Sequence, residues 1–160
     1  MRKKLLLISL FLCLLSVAFC QNKNAIGLRL GMVQAVSYQH YFTHGFSAEL
    51  IAGFYRWDPV AFAFAQYQPG EFLNNEKLKL IFGLGGHTGQ FEGYKNTAWF
   101  DSYDDQQVTH FIAGVDILLG INYDFEEFPV NLSFDVRPAL NLHPDVVYWS
   151  GVALTGRYVF

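Results

Sequence analysis

Residues 130–142 read VNLSFDVRPALNL. One parity holds Val130, Leu132, Phe134, Val136, Pro138, Leu140 and Leu142, and the other holds Asn131, Ser133, Asp135, Arg137, Ala139 and Asn141. Successive side chains of a β-strand point to opposite faces, so a period of two makes one face apolar and the other polar. The polar face is made of Asn, Ser, Asp and Arg rather than the Lys and Glu of a solvated surface. That composition predicts a closed barrel, with lipid against the apolar exterior and a tight, hydrogen-bonded lumen inside.

The same parity extends in both directions. Downstream, Val152, Leu154, Gly156, Tyr158 and Phe160 alternate with Gly151, Ala153, Thr155 and Arg157. Upstream, Phe111, Ala113, Val115, Ile117, Leu119, Ile121, Tyr123 and Phe125 share a face opposite Ile112, Gly114, Asp116, Leu118, Gly120, Asn122 and Asp124. Phe46, Ala48, Leu50, Ala52 and Phe54 oppose Ser47, Glu49, Ile51, Gly53 and Tyr55, and Ile26, Leu28, Leu30 and Met32 oppose Gly27, Arg29 and Gly31. Between 60 and 67 both parities are apolar (Val60, Phe62, Phe64 against Ala61, Ala63, Ala65, Tyr67), so no inward face can be assigned there.

Clusters of Gly, Pro, Asn and Asp divide the chain into eight strands, near 25–33, 35–43, 46–56, 60–68, 78–91, 110–124, 130–142 and 147–160. The connections fall at Gln34, Thr43–Gly45, Arg56–Pro59, Pro69–Lys77, Glu92–Thr109, Phe125–Pro129 and His143–Val146. The fold class is therefore all-β: an eight-stranded antiparallel transmembrane barrel in up-and-down order, forming one domain. A spanning strand takes about 9–11 residues. Eight strands make a barrel just wide enough for side chains to fill, and Gly27, Gly31, Gly83, Gly85 and Gly89 on inner faces suit so narrow a lumen. Closure follows from the solvent, because a sheet edge in lipid leaves backbone groups unpaired at several kcal/mol each.

Met1–Cys20 has the form of a secretory signal peptide, with Arg2, Lys3 and Lys4 before an apolar run that ends at Ala18-Phe19-Cys20. Lipoprotein processing at Cys20 is the alternative, and Phe19 immediately before it argues against that. Cleavage after Cys20 leaves a barrel domain over 21–160 without either cysteine. Losing three of the 11 Lys+Arg against 14 Asp+Glu gives that domain a net charge of −6. So acidic a chain excludes a general nucleic-acid or anionic-lipid binder. With the N-terminus periplasmic, Glu92–Thr109 becomes the longest loop and faces outward. A soluble sandwich or lipocalin-like barrel also alternates, but its solvent face would carry Lys and Glu. Here the expected strands hold a single lysine, Lys79, in a chain with 16 Phe, 9 Tyr and 3 Trp.

Gly27-Leu28-Arg29-Leu30-Gly31, the stretch 115–141 (VDILLGINYDFEEFPVNLSFDVRPALN) and the terminal GRYVF resemble the small eight-stranded outer-membrane barrels of Gram-negative bacteria, the OmpX/OmpA-like group. The resemblance implies outer-membrane localisation among lipid and lipopolysaccharide. It also implies periplasmic chaperone escort and insertion by the barrel-assembly machinery, with Val152, Leu154, Tyr158 and Phe160 as the assembly signal. Its motifs are architectural and imply no reaction and no cofactor.

Three residue sets are candidates for function. Arg29, Glu49, Asp116, Asp135, Arg137 and Arg157 form the inward ionisable set. Buried charges need partners, and Arg137 is expected opposite Asp116 or Ile117; the set serves either as a charge-compensated plug or as the lining of a narrow pore. The histidines His40, His44, His87, His110 and His143 are the candidates for a lipid A-modifying enzyme of the deacylase kind. None has a serine two residues on, and His40 is placed near Glu49 if the second and third strands pair around Thr43–Gly45. No catalytic or metal-ligating set is assigned. In the outer loop, Trp99, Phe100, Asp101, Tyr103, Asp104 and Asp105 form an aromatic-acidic run suited to a surface partner. The expected role is that of a non-enzymatic barrel with a structural or surface-interaction function.

Overall fold

The structure is a computed structural model and describes residues 24–43, 45–72, 75–94, 107–143 and 147–160. The expected signal segment 1–20 and the run Trp99–Asp105 lie outside the described residues, as does His44. The strands are β1 (Asn24–Gly31), β2 (Gln34–Tyr41), β3 (Phe46–Tyr55), β4 (Asp58–Tyr67), β5 (Glu71–Phe72), β6 (Asn75–Tyr94), β7 (Gln107–Asp124), β8 (Val130–His143) and β9 (Val147–Val159). Each long strand pairs antiparallel with its sequence neighbour, β4 pairs with β6, and β1 pairs with β9. The result is a closed eight-stave meander in which β5 folds back on the start of β6 (Glu71↔Lys79, Phe72↔Asn75). At the seam, Asn24 N donates to Phe160 O at 3.0 Å and Phe160 N to Asn24 O at 2.7 Å. Both described chain ends therefore lie at the same mouth.

Alternation fixes which side chains fill the barrel. Along β8 the side chains from Asn131 to Asn141 are buried at every odd number, and Val130, Leu132, Phe134 and Val136 are exposed. β7 and β9 repeat the pattern, so Val152, Leu154 and Tyr158 lie on the outer wall. Apolar side chains facing outward on every stave make the exterior oily, as lipid requires.

β4 resolves the face the sequence left open. Phe62, Phe64 and Gln66 point inward and are buried, while Ala61, Ala63, Ala65 and Tyr67 point outward. Size settles the choice. Phe64 pairs with Gly85 and Gln66 with Gly83, so the large inner side chains of β4 lie over bare glycine backbone on β6. A Cβ on Gly85 would strike the Ala63 carbonyl and the Phe64 ring. With Val33, Ala35, Ile51, Ile81 and Leu118, the two phenylalanines form an apolar half of the interior.

Several boundaries differ from expectation. The first connection lies at Met32-Val33 rather than Gln34, which belongs to β2, and Val33 turns in to join the apolar cluster. The β3–β4 turn is Arg56-Trp57 alone, with Tyr55↔Asp58 as the last pair, so Asp58 and Pro59 are strand residues. The segment 69–77 contains β5 and the first rungs of β6, so Lys77 joins Lys79 as a strand lysine. The β6–β7 hairpin continues past the expected strand ends through Glu92↔Thr109 to Tyr94↔Gln107, leaving the outer connection at 95–106.

Candidate functional site: a paired-charge lumen

Inward parity from five staves brings the six ionisable residues into one interior, each no more than 3% exposed. They carry three guanidinium groups and three carboxyl groups. Isolated buried charges cost several kcal/mol each even after relaxation, so such a set is stable only when every member is paired and hydrogen-bonded.

Glu49 on β3 is the centre of the first group. It accepts from Ser37 Oγ, from Gln66 Nε2 and from Arg157 Nη2. Arg157 on β9 also donates from Nε to Ser37 Oγ at 3.0 Å and from Nη1 to Ser133 Oγ at 2.7 Å. The space for its stem comes from Gly27, its partner across the seam; a Cβ there would meet the Arg157 side chain and the Gly156 carbonyl. Toward the mouth that carries the chain ends, the network runs on through neutral groups. Gln39 Nε2 donates to Gln66 Oε1 and Ser47 Oγ, both at 2.9 Å. Tyr41 OH donates to Gln39 Oε1 at 3.1 Å and accepts from Asn131 Nδ2 at 3.0 Å. Tyr41, Asn131, Lys79, Asp124 and Phe128 then line a cavity of about 600 Å³ at this mouth.

The second group is a two-pronged pair. Arg29 on β1 donates from Nη1 to Asp135 Oδ2 at 2.8 Å and from Nη2 to Asp135 Oδ1, and Thr155 Oγ1 accepts from Nη1 at 3.3 Å. Planar guanidinium–carboxylate contacts of this form are among the stronger protein hydrogen bonds.

The third group is looser in its ion pair and includes a histidine. Asp116↔Ala139 and Leu119↔Val136 place Arg137 across from Leu118, not from Asp116 or Ile117 as expected. It therefore reaches Asp116 diagonally, with Nε 3.8 Å from Oδ1, beyond hydrogen-bond range. Its guanidinium carbon lies 3.8 Å from the centroid of the Phe62 ring, a cation–π contact. The short contact to Asp116 comes from His87, whose Nδ1 lies 2.8 Å from Oδ2, while Nε2 lies 2.6 Å from Asn141 Oδ1.

His87 was absent from the expected ionic set, although its signal was in the sequence: it shares a parity with Gly83, Gly85 and Gly89. The neutral partners Ser133, Asn141 and Thr155 stand on the polar parities read from sequence, whereas Gln66 lies in the strand whose inward face the sequence leaves open, and Ser37 and Gln39 lie in a strand for which no face was assigned. His40 and His143 lie elsewhere. His40 is in register with Ala48, on the opposite face from Glu49, and its Nδ1 lies 2.7 Å from Asn24 Oδ1. His143 packs against Phe111 with ring centroids 6.2 Å apart. At the start of β6, Lys77 Nζ meets Glu126 of the β7–β8 turn at 2.9 Å; that hydrogen bond, reinforced by the Glu126 charge, pushes the lysine above its ordinary value. Among the described residues no group of three His, Cys, Asp or Glu side chains is arranged to hold a metal ion.

No family model matches the chain, and no curated protein matches it. Among solved structures it is similar to the crystal structure of the N-terminal β-barrel domain of Pseudomonas aeruginosa OprF. The TM-score is 0.61 at 14% identity, over 84% of this chain and 95% of that one. The shared fold is a closed, eight-stranded antiparallel β-barrel.

Proposed function

We propose that the mature chain is an integral outer-membrane barrel, exported by cleavage after Cys20, with a structural or surface-interaction role and no catalytic activity. The observation that carries this is the combination of an oily outer wall with a lumen occupied by three buried arginine–carboxyl combinations. The wall suits lipid. The interior suits a plug, because ions would have to displace groups that already hold one another. Surface specificity then falls to the outer connections, chiefly the run Trp99–Asp105. Chaperone escort and the barrel-assembly machinery are the partners expected during biogenesis.

Heat-modifiable gel mobility in the outer-membrane fraction is the expected result for the location, and soluble periplasmic recovery without a mobility shift would overturn it. For the role, the purified barrel should give no unitary conductance in planar bilayers, and deletion should leave the lipid A mass spectrum unchanged. Replacing 99–105 with a Gly-Ser linker should abolish the deletion-rescuing phenotype. If that replacement still rescues while His87→Ala does not, an enzymatic role in lipid modification takes its place.

A further inference from the structure

The β3–β4 hairpin closes through two residues, Arg56 and Trp57, with Tyr55↔Asp58 as the last rung. Both take positive φ, 52° and 87°. A two-residue turn with both central residues in this region is type I′, for which Asn-Gly is the favoured pair because side chains with a bulky Cβ substituent strain there. Arginine and tryptophan are costly occupants. Trp57 is also 93% exposed, an unfavourable setting for an indole in water. Arg56 is exposed and, among the described residues, forms no ion pair; its guanidinium carbon lies 5.7 Å from the Tyr55 ring centroid. A turn that is strained, apolar at its tip and cationic is poorly explained by the hairpin alone.

Strand length says where this tip lies. β3 and β4 have 10 residues each, whereas β6 has 20 and β7 has 18. About 9–11 tilted residues cross the hydrocarbon, so a ten-residue hairpin ends at headgroup level while β6–β7 continues beyond. Just below the tip, Phe54 and Pro59 are paired and exposed on the outer wall, at the top of the oily band. Tryptophan is enriched at that boundary, and a basic side chain there is drawn to lipid phosphate.

We propose that Arg56-Trp57 is a lipid-headgroup anchor: the guanidinium pairs with the phosphate of an anionic lipid in the leaflet where the hairpin emerges, and the indole lies beside it at the hydrocarbon boundary. The inference rests on the membrane-barrel reading above. In this arrangement the turn strain is offset by the lipid contact.

The test uses the full chain with Trp99→Phe and Trp149→Phe, leaving Trp57 as sole tryptophan, excited at the red edge where tyrosine does not absorb, and refolded into phosphatidylcholine vesicles with or without phosphatidylglycerol. Anionic lipid should shift Trp57 emission to the blue and protect it from acrylamide. Arg56→Gln should weaken the response to anionic lipid about fivefold, the equivalent of roughly 1 kcal/mol for one basic residue at an anionic surface. Arg56→Asn/Trp57→Gly should raise the urea midpoint in zwitterionic micelles, because it supplies the turn's preferred residues; a lower midpoint would mean that Arg-Trp serves the fold, and overturns the proposal. If inorganic phosphate with phosphatidylcholine alone reproduces the blue shift, a soluble anion is the ligand and the lipid assignment falls. A heat-modifiable protein whose Trp57 ignores anionic lipid overturns this inference alone, whereas loss of heat-modifiability in the parent chain overturns the membrane-barrel reading with it.

Discussion

The ion pair of Glu49 and Arg157 is the most informative place to perturb the lumen. Glu49 is fully buried and accepts from Ser37, Gln66 and Arg157, while Arg157 is 3% exposed and donates to Ser37, Ser133 and Glu49. Glu49→Gln keeps the shape and removes the charge, leaving a buried guanidinium uncompensated. Breaking one side of such a pair costs about 3–5 kcal/mol, and a Coulomb estimate at an effective dielectric of 20 and about 4 Å gives roughly 4 kcal/mol. Arg157→Met should cost a similar amount by stranding the carboxylate. The double variant, which strands neither, should be less destabilised than the sum by about 2–3 kcal/mol. The same cycle on Asp116→Asn and Arg137→Gln should give a smaller coupling, because their closest contact is 3.8 Å and His87 holds the carboxylate more tightly. Urea titration of barrels refolded in micelles, followed by heat-modifiable mobility, measures every protein of the two cycles. A Glu49/Arg157 coupling below about 0.5 kcal/mol would mean that the lumen charges are solvated independently, and would refute the account of the interior as a mutually held plug.

Further expectations concern the wall, the packing and pH. Leu119→Arg, on the outer wall, should lower insertion yield by about 2–4 kcal/mol equivalent. Gly120→Arg should fail differently, because even a Cβ would lie 2.6 Å from Phe134 O and 2.8 Å from Asp135 Cβ; Asn122→Ser should be mild, and efficient insertion of Leu119→Arg would reverse the face assignment of β7. Gly85→Ala should cost about 1–3 kcal/mol by overpacking against the Ala63 carbonyl and Phe64, and an unchanged urea midpoint would show that Phe64 is not seated over that glycine. The raised value of Lys77 means that whatever its Glu126 contact contributes is complete below the ordinary lysine range and is lost as pH rises through the raised value. Lys77→Met should therefore flatten any high-pH decline in the urea midpoint while leaving the neutral midpoint nearly unchanged, since both partners are exposed.

Parity made the barrel and its charged interior legible, because lipid and lumen impose opposite demands on adjacent residues. It fails where both faces are apolar. In β4 hydrophobicity carries no direction, and the decision rests on which strand supplies glycines opposite, information held some 20 residues away in β6. Register is weaker still in sequence: Arg137 lies across from Leu118, and a shift of that size turns a direct ion pair into a diagonal one. His87 was legible only as a candidate for catalysis, because histidine invites a search for a nucleophile beside it in sequence, whereas its partners Asp116 and Asn141 come from two other staves. The length of the β6–β7 hairpin was hidden by the polar run between its strands, where Gly93, Asn96, Asp101, Asp104 and Asp105 read locally as loop.

The socket opposite Arg157 bears on how the barrel recognises that it has closed correctly. Every other junction between long strands forms between neighbours in sequence, but β1 and β9 meet only after the rest of the chain lies between them, the least local pairing of all. Nothing in backbone hydrogen bonding distinguishes one alignment of two strands from another two residues away, and a slip of one turns every side chain to the wrong face. A slip of two would set Arg157 against Ala25 or Arg29 in place of Gly27, where a Cβ already occupies the space its stem needs. The missing methyl of one glycine thus acts as a proofreading device: the last pair of strands can zip fully in a single alignment, the one that delivers the arginine to Glu49.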